Sequence, residues 1–166
     1  MTAPFAIEAL CPNHARTGFR SGVEALDRYF REQVTQDLRR RVTSCYVAIE
    51  VDTGRVAGYY TLAAGGVLLA EMPEQIAKRL PRYPSVPVAR LGRLAVDQVY
   101  RGRKLGAVLL WDAVMRALRS EVAVFALMVD AKDEQAEAFY RHHGFATFGS
   151  LPRQLLLPLT AHPIKP

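Results

Sequence analysis

The sequence predicts an α+β protein built on a mixed, mostly antiparallel sheet of six or seven strands, flanked by about four helices. Three observations lead to this fold class. Short runs of β-branched and aromatic residues occur in both halves, a short turn joins two of them, and helical and strand patterns alternate in the middle of the chain. Such alternation favours a parallel pair of strands at the centre of the sheet. With 166 residues, half of them apolar, the chain can bury one complete core, so we expect a single domain over residues 1–166.

The first part of the chain predicts a strand, a helix and a hairpin. The apolar segment FAIEAL predicts the strand. Ser21, followed three residues later by Glu24, predicts a capping box that begins a helix running to about Arg41. The segments TSCYVAIEV and RVAGYYTLAA predict a hairpin, and Gly65 and Gly66 are expected to end its second strand.

The second half has a more regular pattern. Pro73 opens a short predicted helix, PEQIAKRL, and the proline-rich PRYPSVPVA predicts an ordered loop. A strand ARLGRLAVD, a helix after RGRKLG, a buried strand VAVFALMVD and a helix DEQAEAFYRHH follow, the last ended by Gly144. GFATFGS and RQLLLPL predict two final strands, the last near a sheet edge because Pro158 has no N–H to donate.

Charge and composition restrict the class of function. The 22 basic and 16 acidic residues give a formal net charge of +6, which favours partners that carry phosphate groups. No apolar run approaches the roughly 18 residues of a membrane helix, and the N-terminal residues lack a secretory pattern, so we expect a cytoplasmic protein. Cys11 and Cys45 are too few for a disulfide framework or a zinc site, and we expect two reduced, half-buried thiols and no metal.

The turn RGRKLG, between the strand LGRLAVD and a helix, is the most specific local feature. The first amides of a helix have no intrahelical acceptor, and the aligned peptide dipoles make that end positive. Gly102 and Gly106 would let the backbone approach an anion, while Arg101, Arg103 and Lys104 would add mobile positive charge. The turn therefore predicts a phosphate site, although the bare pattern is also typical of a tight turn with solvated charges.

The succession of LGRLAVD, RGRKLG, LGAVLLWDAV, ALMVDA and AFYRHHGF resembles the GNAT superfamily of acetyltransferases, over about residues 5–159. The resemblance implies the GNAT fold, acetyl-CoA as cosubstrate and a central parallel pair of strands that splays apart. Arg101 and Gly106 match the family's turn motif, whereas Lys104 stands where its first glycine is usual. The implied cofactor contacts are the strand backbone at Leu94, Ala95 and Val96, the turn residues Arg101, Gly102, Arg103, Lys104, Leu105 and Gly106, and also Ala107 and Ala136.

Tyr140 is the predicted catalytic residue. In enzymes that resemble this chain, a tyrosine in the AFY stretch lies close to the cofactor sulfur and protonates the departing thiolate. A phenol of pKa about 10 is neutral at pH 7 and can act as a general acid toward a thiolate of pKa about 8.5. From the residues alone, a tyrosine that only packs its ring is the alternative. No strong general base accompanies it, which slightly favours an α-amine acceptor over the more basic lysine amine.

Segments outside the cofactor motif resemble a narrower group, the GNAT toxins of bacterial toxin–antitoxin modules, which acetylate aminoacyl-tRNA and block translation. These segments are SGVEALDRYFREQVTQDLRRRVTSCYVAIE, GYYTLAA and AKRLPRYPSVPVARLGRLAVD. The resemblance implies an aminoacyl-tRNA acceptor, a homodimer, a small ribbon-helix-helix antitoxin, and contact with operator DNA only through that antitoxin. The candidate tRNA contacts are Arg39, Arg40, Arg41, Lys78, Arg79, Arg82, Arg90 and Arg93. Tyr83 is a candidate stacking platform for an unpaired base.

The predicted reaction is direct transfer, with neither a metal nor a covalent intermediate. The amine attacks the thioester carbonyl, a backbone N–H of the splayed strand polarises the oxygen, and Tyr140 protonates the sulfur. Cys45 is interpreted as a packing residue. Two alternatives remain open: a GNAT enzyme that acts on a protein amine or a small-molecule amine, and a degenerate GNAT fold that binds nucleic acid or acyl-CoA without catalysis.

Overall fold

The computed structural model describes residues 4–159. Its strands are β1 Phe5–Ala9, β2 Ser44–Glu50, β3 Val56–Leu68, β4 Ser85–Val96, β5 Ala126–Asp130, β6 Ala146–Thr147 and β7 Gln154–Pro158. Its α-helices are α1 Glu24–Arg28, α2 Val34–Arg39, α3 Glu74–Ala77, α4 Leu105–Leu118 and α5 Glu134–His142. A π-helical turn, Tyr29–Gln33, joins α1 to α2 into one continuous helix. Residues 4–159 therefore contain four α-helical segments: α1 with α2, α3, α4 and α5.

The strands form a seven-stranded sheet in the order β1-β2-β3-β4-β5-β7-β6. β2 is antiparallel to β1 and to β3, whereas β4 and β5 are parallel, with Val88 opposite Ala126 and Leu91 opposite Val129. β7 is antiparallel to both β5 and β6, and the two-residue β6 is the edge strand. The predicted fold class, a mixed sheet with one parallel pair, is confirmed.

The chain divides into two compact units. The first contains the residues up to Ala63 together with Gly92–Met115, and the second contains Ala64–Leu91 together with the residues from Arg116 onward. The core of the first unit includes Phe30 and Tyr59, whose rings stack 4.2 Å apart. The second has its own core, with Val88, Met128 and Leu156 at its centre. The single domain over 1–166 stays a prediction, and its ends, residues 1–3 and 160–166, lie outside the described residues.

The predicted capping box is wrong. Val23 occupies the N-cap position of α1, and it makes no side-chain cap. The Ser21 hydroxyl instead donates to the carboxylate of Asp27 and accepts the Val23 amide. Asp27 is only 4% exposed, so its buried carboxyl group needs hydrogen-bond donors. It accepts the Ser21 amide and also the Ser21 hydroxyl, which would otherwise have capped the helix.

Two predicted breaks in the sheet are also wrong. β3 continues through Gly65 and Gly66, and β4 already begins at Ser85 and includes Pro87. A Cβ on Gly66 would lie 2.7 Å from the Ser85 hydroxyl oxygen, so this glycine allows a close approach to Ser85 rather than ending the strand. Pro87 still takes part in backbone pairing, because its carbonyl accepts the amide of Phe125.

The two thiols differ in burial, contrary to the expectation that both are half-buried. Cys11 is exposed, and Cys45 is buried in the core of the first unit. Burial raises the pKa of the Cys45 thiol to about 12, so the thiol is protonated at neutral pH and packs as an apolar group. Residues 4–159 contain no group of three side chains suited to a metal ion, and none of their helices has the length and apolar character to cross a membrane.

Candidate active site

The turn between β4 and α4 has a left-handed backbone at two positions. Gly102 has a φ of 78° and Lys104 a φ of 59°. This conformation costs a residue with a Cβ about 1–2 kcal/mol and costs glycine essentially nothing. Lys104 therefore keeps a conformation that favours glycine, at the position where the resemblance leads us to expect one. A lysine in this conformation stores strain in the turn.

We expect Lys104→Gly to raise the free energy of unfolding by about 1 kcal/mol, because it removes this strain. Lys104→Ala also removes the ammonium group but retains the Cβ, so its stability should remain within about 0.5 kcal/mol of wild type. Urea denaturation of the three proteins measures the difference. Equal stability of the glycine and alanine variants would contradict backbone strain at this position.

Helix α4 begins directly after Lys104. The amide of Val108 donates to the Lys104 carbonyl at 3.2 Å, which closes the first turn of the helix. The amides of Leu105, Gly106 and Ala107 precede that bond and have no acceptor within the helix. Together with the positive end of the helix dipole, these amides form an arrangement that can bind an oxyanion such as a phosphate.

Arg101 is not the mobile charge that the sequence predicts. Its Nη2 donates to the Ser21 carbonyl at 2.6 Å, and a Cβ on Gly22 would lie only 2.7 Å from the same nitrogen. Gly22 has a φ of 94°, so its backbone conformation favours glycine, and a side chain there would displace the Arg101 guanidinium. The guanidinium therefore anchors the turn to the loop before α1.

Arg103 is also held by neighbouring side chains. Its Nη1 lies 3.7 Å from the Glu50 carboxylate, and its guanidinium carbon lies 5.0 Å from the centre of the Phe5 ring. Hydrogen bonds from Thr53 and Tyr100, together with Arg103, hold the pKa of Glu50 below its usual value. Lys104, by contrast, is exposed and forms no ion pair with any of residues 4–159. Within the described residues, Lys104 is therefore the predicted cation whose charged group has no hydrogen-bond or ion-pair partner.

The last residues of β4 direct their backbone groups to alternate sides. The Arg93 amide donates to Thr61 and the Asp97 amide donates to the Ala57 carbonyl, both in β3. Because N–H and C=O groups alternate along a strand, residues 94 and 96 direct theirs away from β3. The pairs that join β4 to β5 end at Leu91. Among the three predicted backbone contacts, this alternation favours Leu94 and Val96 over Ala95.

Tyr140 lies on α5, in the second unit. It is 7% exposed, and the rings of Phe139 and Phe145 contact its ring edge-on at 5.2 and 5.4 Å between centroids. Burial raises its pKa to about 12, because the charged phenolate is poorly solvated there. The phenol is thus neutral throughout the physiological pH range and can donate a hydrogen bond or a proton.

Ala136 lies in the first turn of the same helix. Its amide donates to the Asp133 carboxylate at 2.8 Å, an N-cap bond that uses its backbone donor. A cofactor contact at Ala136 would therefore involve its methyl group, which is half-buried.

The eight candidate tRNA contacts are divided between the two units. Arg39, Arg40, Arg41 and Arg93 belong to the first unit, and Lys78, Arg79, Arg82 and Arg90 belong to the second.

Six of the eight side chains are exposed, and the other two have close partners. The guanidinium carbon of Arg93 lies 3.5 Å from the centre of the Tyr29 ring, and Arg90 pairs with Asp130 at 2.9 Å. Tyr83 is 69% exposed, as a platform for an unpaired base must be.

Sequence reasoning missed three partners: the Thr61 hydroxyl, the Ser21 carbonyl and the Glu50 carboxylate, which hold Arg93, Arg101 and Arg103 respectively. Each partner lies more than thirty residues from the group that it holds. The Thr61–Arg93 pair spans 32 residues and the Ser21–Arg101 bond spans 80. No local sequence pattern predicts a contact between residues so far apart in the chain.

Comparison with known proteins adds independent findings. The Acetyltransferase (GNAT) family matches residues 9–145. A tRNA-acetylating toxin of Mycobacterium tuberculosis (strain ATCC 25618 / H37Rv) is 36% identical over 143 residues, which are 85% of this chain and 84% of the relative. The crystal structure of a tyrosine-to-phenylalanine mutant of KacT is 27% identical, with a TM-score of 0.87 over 96% of this chain and 97% of KacT.

AtaT complexed with acetyl-methionyl-tRNAfMet is 28% identical, with a TM-score of 0.86 over 95% of this chain and 96% of AtaT. Other structural neighbours show AtaT bound to the C-terminus of the antitoxin AtaR, AtaTR bound with AcCoA, and a KacTA–DNA complex.

Proposed function

Because the chain belongs to the acetyltransferase (GNAT) family, we propose that it transfers the acetyl group of acetyl-CoA to the α-amino group of an aminoacyl-tRNA and thereby blocks translation. It would act as the toxin of a toxin–antitoxin module in the cytoplasm. The observation that carries the proposal is the succession of the end of β4, the turn and the start of α4 within the first unit. It offers outward backbone groups at Leu94 and Val96, followed at once by the free amides of a helix start.

These two features fit two adjoining parts of acetyl-CoA, the pantetheine arm and the pyrophosphate. The pantetheine arm carries amides that can pair with the backbone of Leu94 and Val96 as an added strand would. The pyrophosphate fits the amides of Leu105, Gly106 and Ala107, with the Lys104 ammonium as a mobile counter-charge. Arg101 and Gly102 shape the turn, and Arg103 adds positive charge beside it.

Tyr140 is the proposed general acid. The amine attacks the carbonyl carbon of the thioester, the C–S bond breaks, and the phenol gives its proton to the departing thiolate sulfur. The buried, neutral phenol supports this role, since it keeps its proton at neutral pH. The α-amine of an aminoacyl ester has a low pKa, and thus a substantial neutral fraction, without a dedicated base.

The acceptor follows from charge and from the relatives. A net charge of +6 and six exposed basic side chains among the eight candidates suit a polyanion. The relative from Mycobacterium tuberculosis acetylates tRNA by its name, and AtaT binds an acetylated aminoacyl-tRNA. An antitoxin partner and contact with DNA are proposed on the AtaT and KacT complexes. The ribbon-helix-helix type of the antitoxin and operator contact only through it are proposed on the family resemblance. A homodimer is proposed on the family resemblance alone.

One observation bears on the alternative of a small cationic acceptor. A cleft in the second unit is lined in part by Glu134 and Glu137, which could attract an amine. Glu137 is paired with Arg141 at 3.1 Å, however, and Arg153 also lines the cleft. Its acidic charge is therefore largely compensated, which favours the nucleic-acid acceptor.

The proposal is tested by incubating the purified protein with labelled acetyl-CoA and bulk aminoacylated tRNA. We expect label in the tRNA fraction and its complete release, as N-acetylated amino acid, when the aminoacyl ester is hydrolysed. Uncharged tRNA is the control. Label on a polyamine or a protein instead would indicate the alternative acceptor, and acetyl-CoA binding without transfer to any amine would indicate a binding module.

A further inference from the structure

The hydroxyl group of Thr61 bonds the backbone of β4 in the first unit. Thr61 lies in β3 and is 1% exposed, and its Oγ1 accepts the amide hydrogen of Arg93 at 3.0 Å. In a regular ladder such an amide donates to a carbonyl of the neighbouring strand. Here a buried side-chain oxygen acts as the acceptor instead.

Gly92 makes room for this bond. A Cβ on Gly92 would lie 2.8 Å from Thr61 Oγ1, closer than real Cβ atoms approach a neighbour. Its φ does not lie in the left-handed region, so the requirement for glycine is one of space. Thr61 and Gly92 therefore act together: Thr61 accepts the hydrogen bond from Arg93, and Gly92 leaves the space that the Thr61 hydroxyl occupies.

The bond determines which backbone groups of β4 remain available. It holds the amide of Arg93 toward β3, and the bond from Asp97 to Ala57 does the same four residues later. Between these two points the alternation of the strand directs the N–H and C=O groups of Leu94 and Val96 outward. Loss of the bond from Arg93 to Thr61 would leave a half-buried amide without an acceptor, so Arg93 would no longer be held against β3.

We propose that Thr61 is a positioning residue for acetyl-CoA: its hydroxyl holds the Arg93 amide so that Leu94 and Val96 present their backbone groups to the pantetheine arm. The inference rests on the proposed function, because it presumes that this strand pairs with the cosubstrate. Thr61 acts through the backbone and takes no part in the transfer of the acetyl group.

Thr61→Val is the direct test, since it keeps the branched shape and removes the hydroxyl. We expect the dissociation constant and the KM for acetyl-CoA to rise roughly tenfold, on the scale of one lost hydrogen bond. The kcat at saturating acetyl-CoA and the KM for aminoacyl-tRNA should stay within about twofold of wild type. Thr61→Ser keeps the hydroxyl and should restore affinity for acetyl-CoA. Calorimetric binding of acetyl-CoA and steady-state kinetics provide both readouts.

A second set of variants separates positioning from packing, and serves as the test if Thr61→Val fails to fold. Gly92→Ala should lower both stability and affinity, because its Cβ displaces the Thr61 hydroxyl. In Gly92→Ala combined with Thr61→Ala the clash is gone, so we expect stability to recover relative to Gly92→Ala while affinity for acetyl-CoA stays low. Recovery of both properties together would overturn the proposal.

Wild-type protein gives the reference that separates this inference from the proposed function. Absence of acetyl-CoA binding by the wild type would overturn both. Tight binding by the wild type and equally tight binding by Thr61→Val would overturn the positioning role alone.

Discussion

Tyr140→Phe is expected to lower the kcat for acetylation of aminoacyl-tRNA roughly a hundredfold or more, which is the usual contribution of a positioned general acid. The substitution removes one hydroxyl from a side chain that is 7% exposed and keeps the ring that packs against Phe139 and Phe145. The dissociation constant for acetyl-CoA should therefore stay within about twofold of wild type. Single-turnover transfer and equilibrium binding measure the two quantities separately.

Tyr59→Phe is the matched control for this experiment. It removes a buried phenol hydroxyl in the same way, but that hydroxyl donates to the Leu26 carbonyl in the core of the first unit. We expect this control to lower stability and leave kcat nearly unchanged. An undiminished rate in Tyr140→Phe, or an equal loss in both variants, would remove Tyr140 from the mechanism.

The pKa of Tyr140 adds a pH dependence to the same prediction. The acid must be protonated to act, and burial raises its pKa from the ordinary 10.0 to about 12. Its contribution to kcat/KM should therefore be complete at neutral pH and persist through pH 10, with a loss only as the pH approaches 12. A fall centred near pH 10 in wild type, absent from Tyr140→Phe, would contradict the burial of this phenol.

Charge reversal of two basic pairs should have the second large effect. We expect Arg39→Glu with Arg40→Glu, and separately Lys78→Glu with Arg79→Glu, to reduce kcat/KM for aminoacyl-tRNA at least about a hundredfold. Each lost phosphate contact should also lower the slope of log KM against log salt by about one. The dissociation constant for acetyl-CoA should be unchanged, because its phosphates are proposed to bind at the start of α4.

The control pair is Arg119→Glu with Lys132→Glu, which changes the net charge by the same amount at exposed positions outside the candidate set. A loss confined to the candidate pairs would indicate local contacts with tRNA. Equal losses in all three double variants would indicate a general effect of net charge, and unchanged acetylation in the candidate pairs would refute the basic surface.

Much of the candidate site could be predicted from local sequence. The turn RGRKLG before α4 and the acidic first turn of α5 depend on residues within one or two helical turns of each other. The role of Tyr140 is implied by the family resemblance. Lys104 shows where such a prediction stops. The sequence alone gives its position in the turn. Whether Lys104 adopts the left-handed backbone conformation depends on how the turn is anchored, including by the hydrogen bond from Arg101 to the Ser21 carbonyl.

By itself the sequence determined the fold class, the β2–β3 hairpin, helices α4 and α5 and the basic, glycine-containing character of the turn before α4. The periodicity of apolar residues and the turn and helix-stop signals that predict these features act over a few residues. Only the tertiary structure decided that β3 continues through Gly65 and Gly66, that Asp27 takes the hydroxyl of Ser21, and that Thr61 holds β4. Those outcomes depend on which acceptor or neighbour the fold brings near. A glycine ends a strand or admits a close approach according to what packs against it, and that neighbour lies far away along the chain.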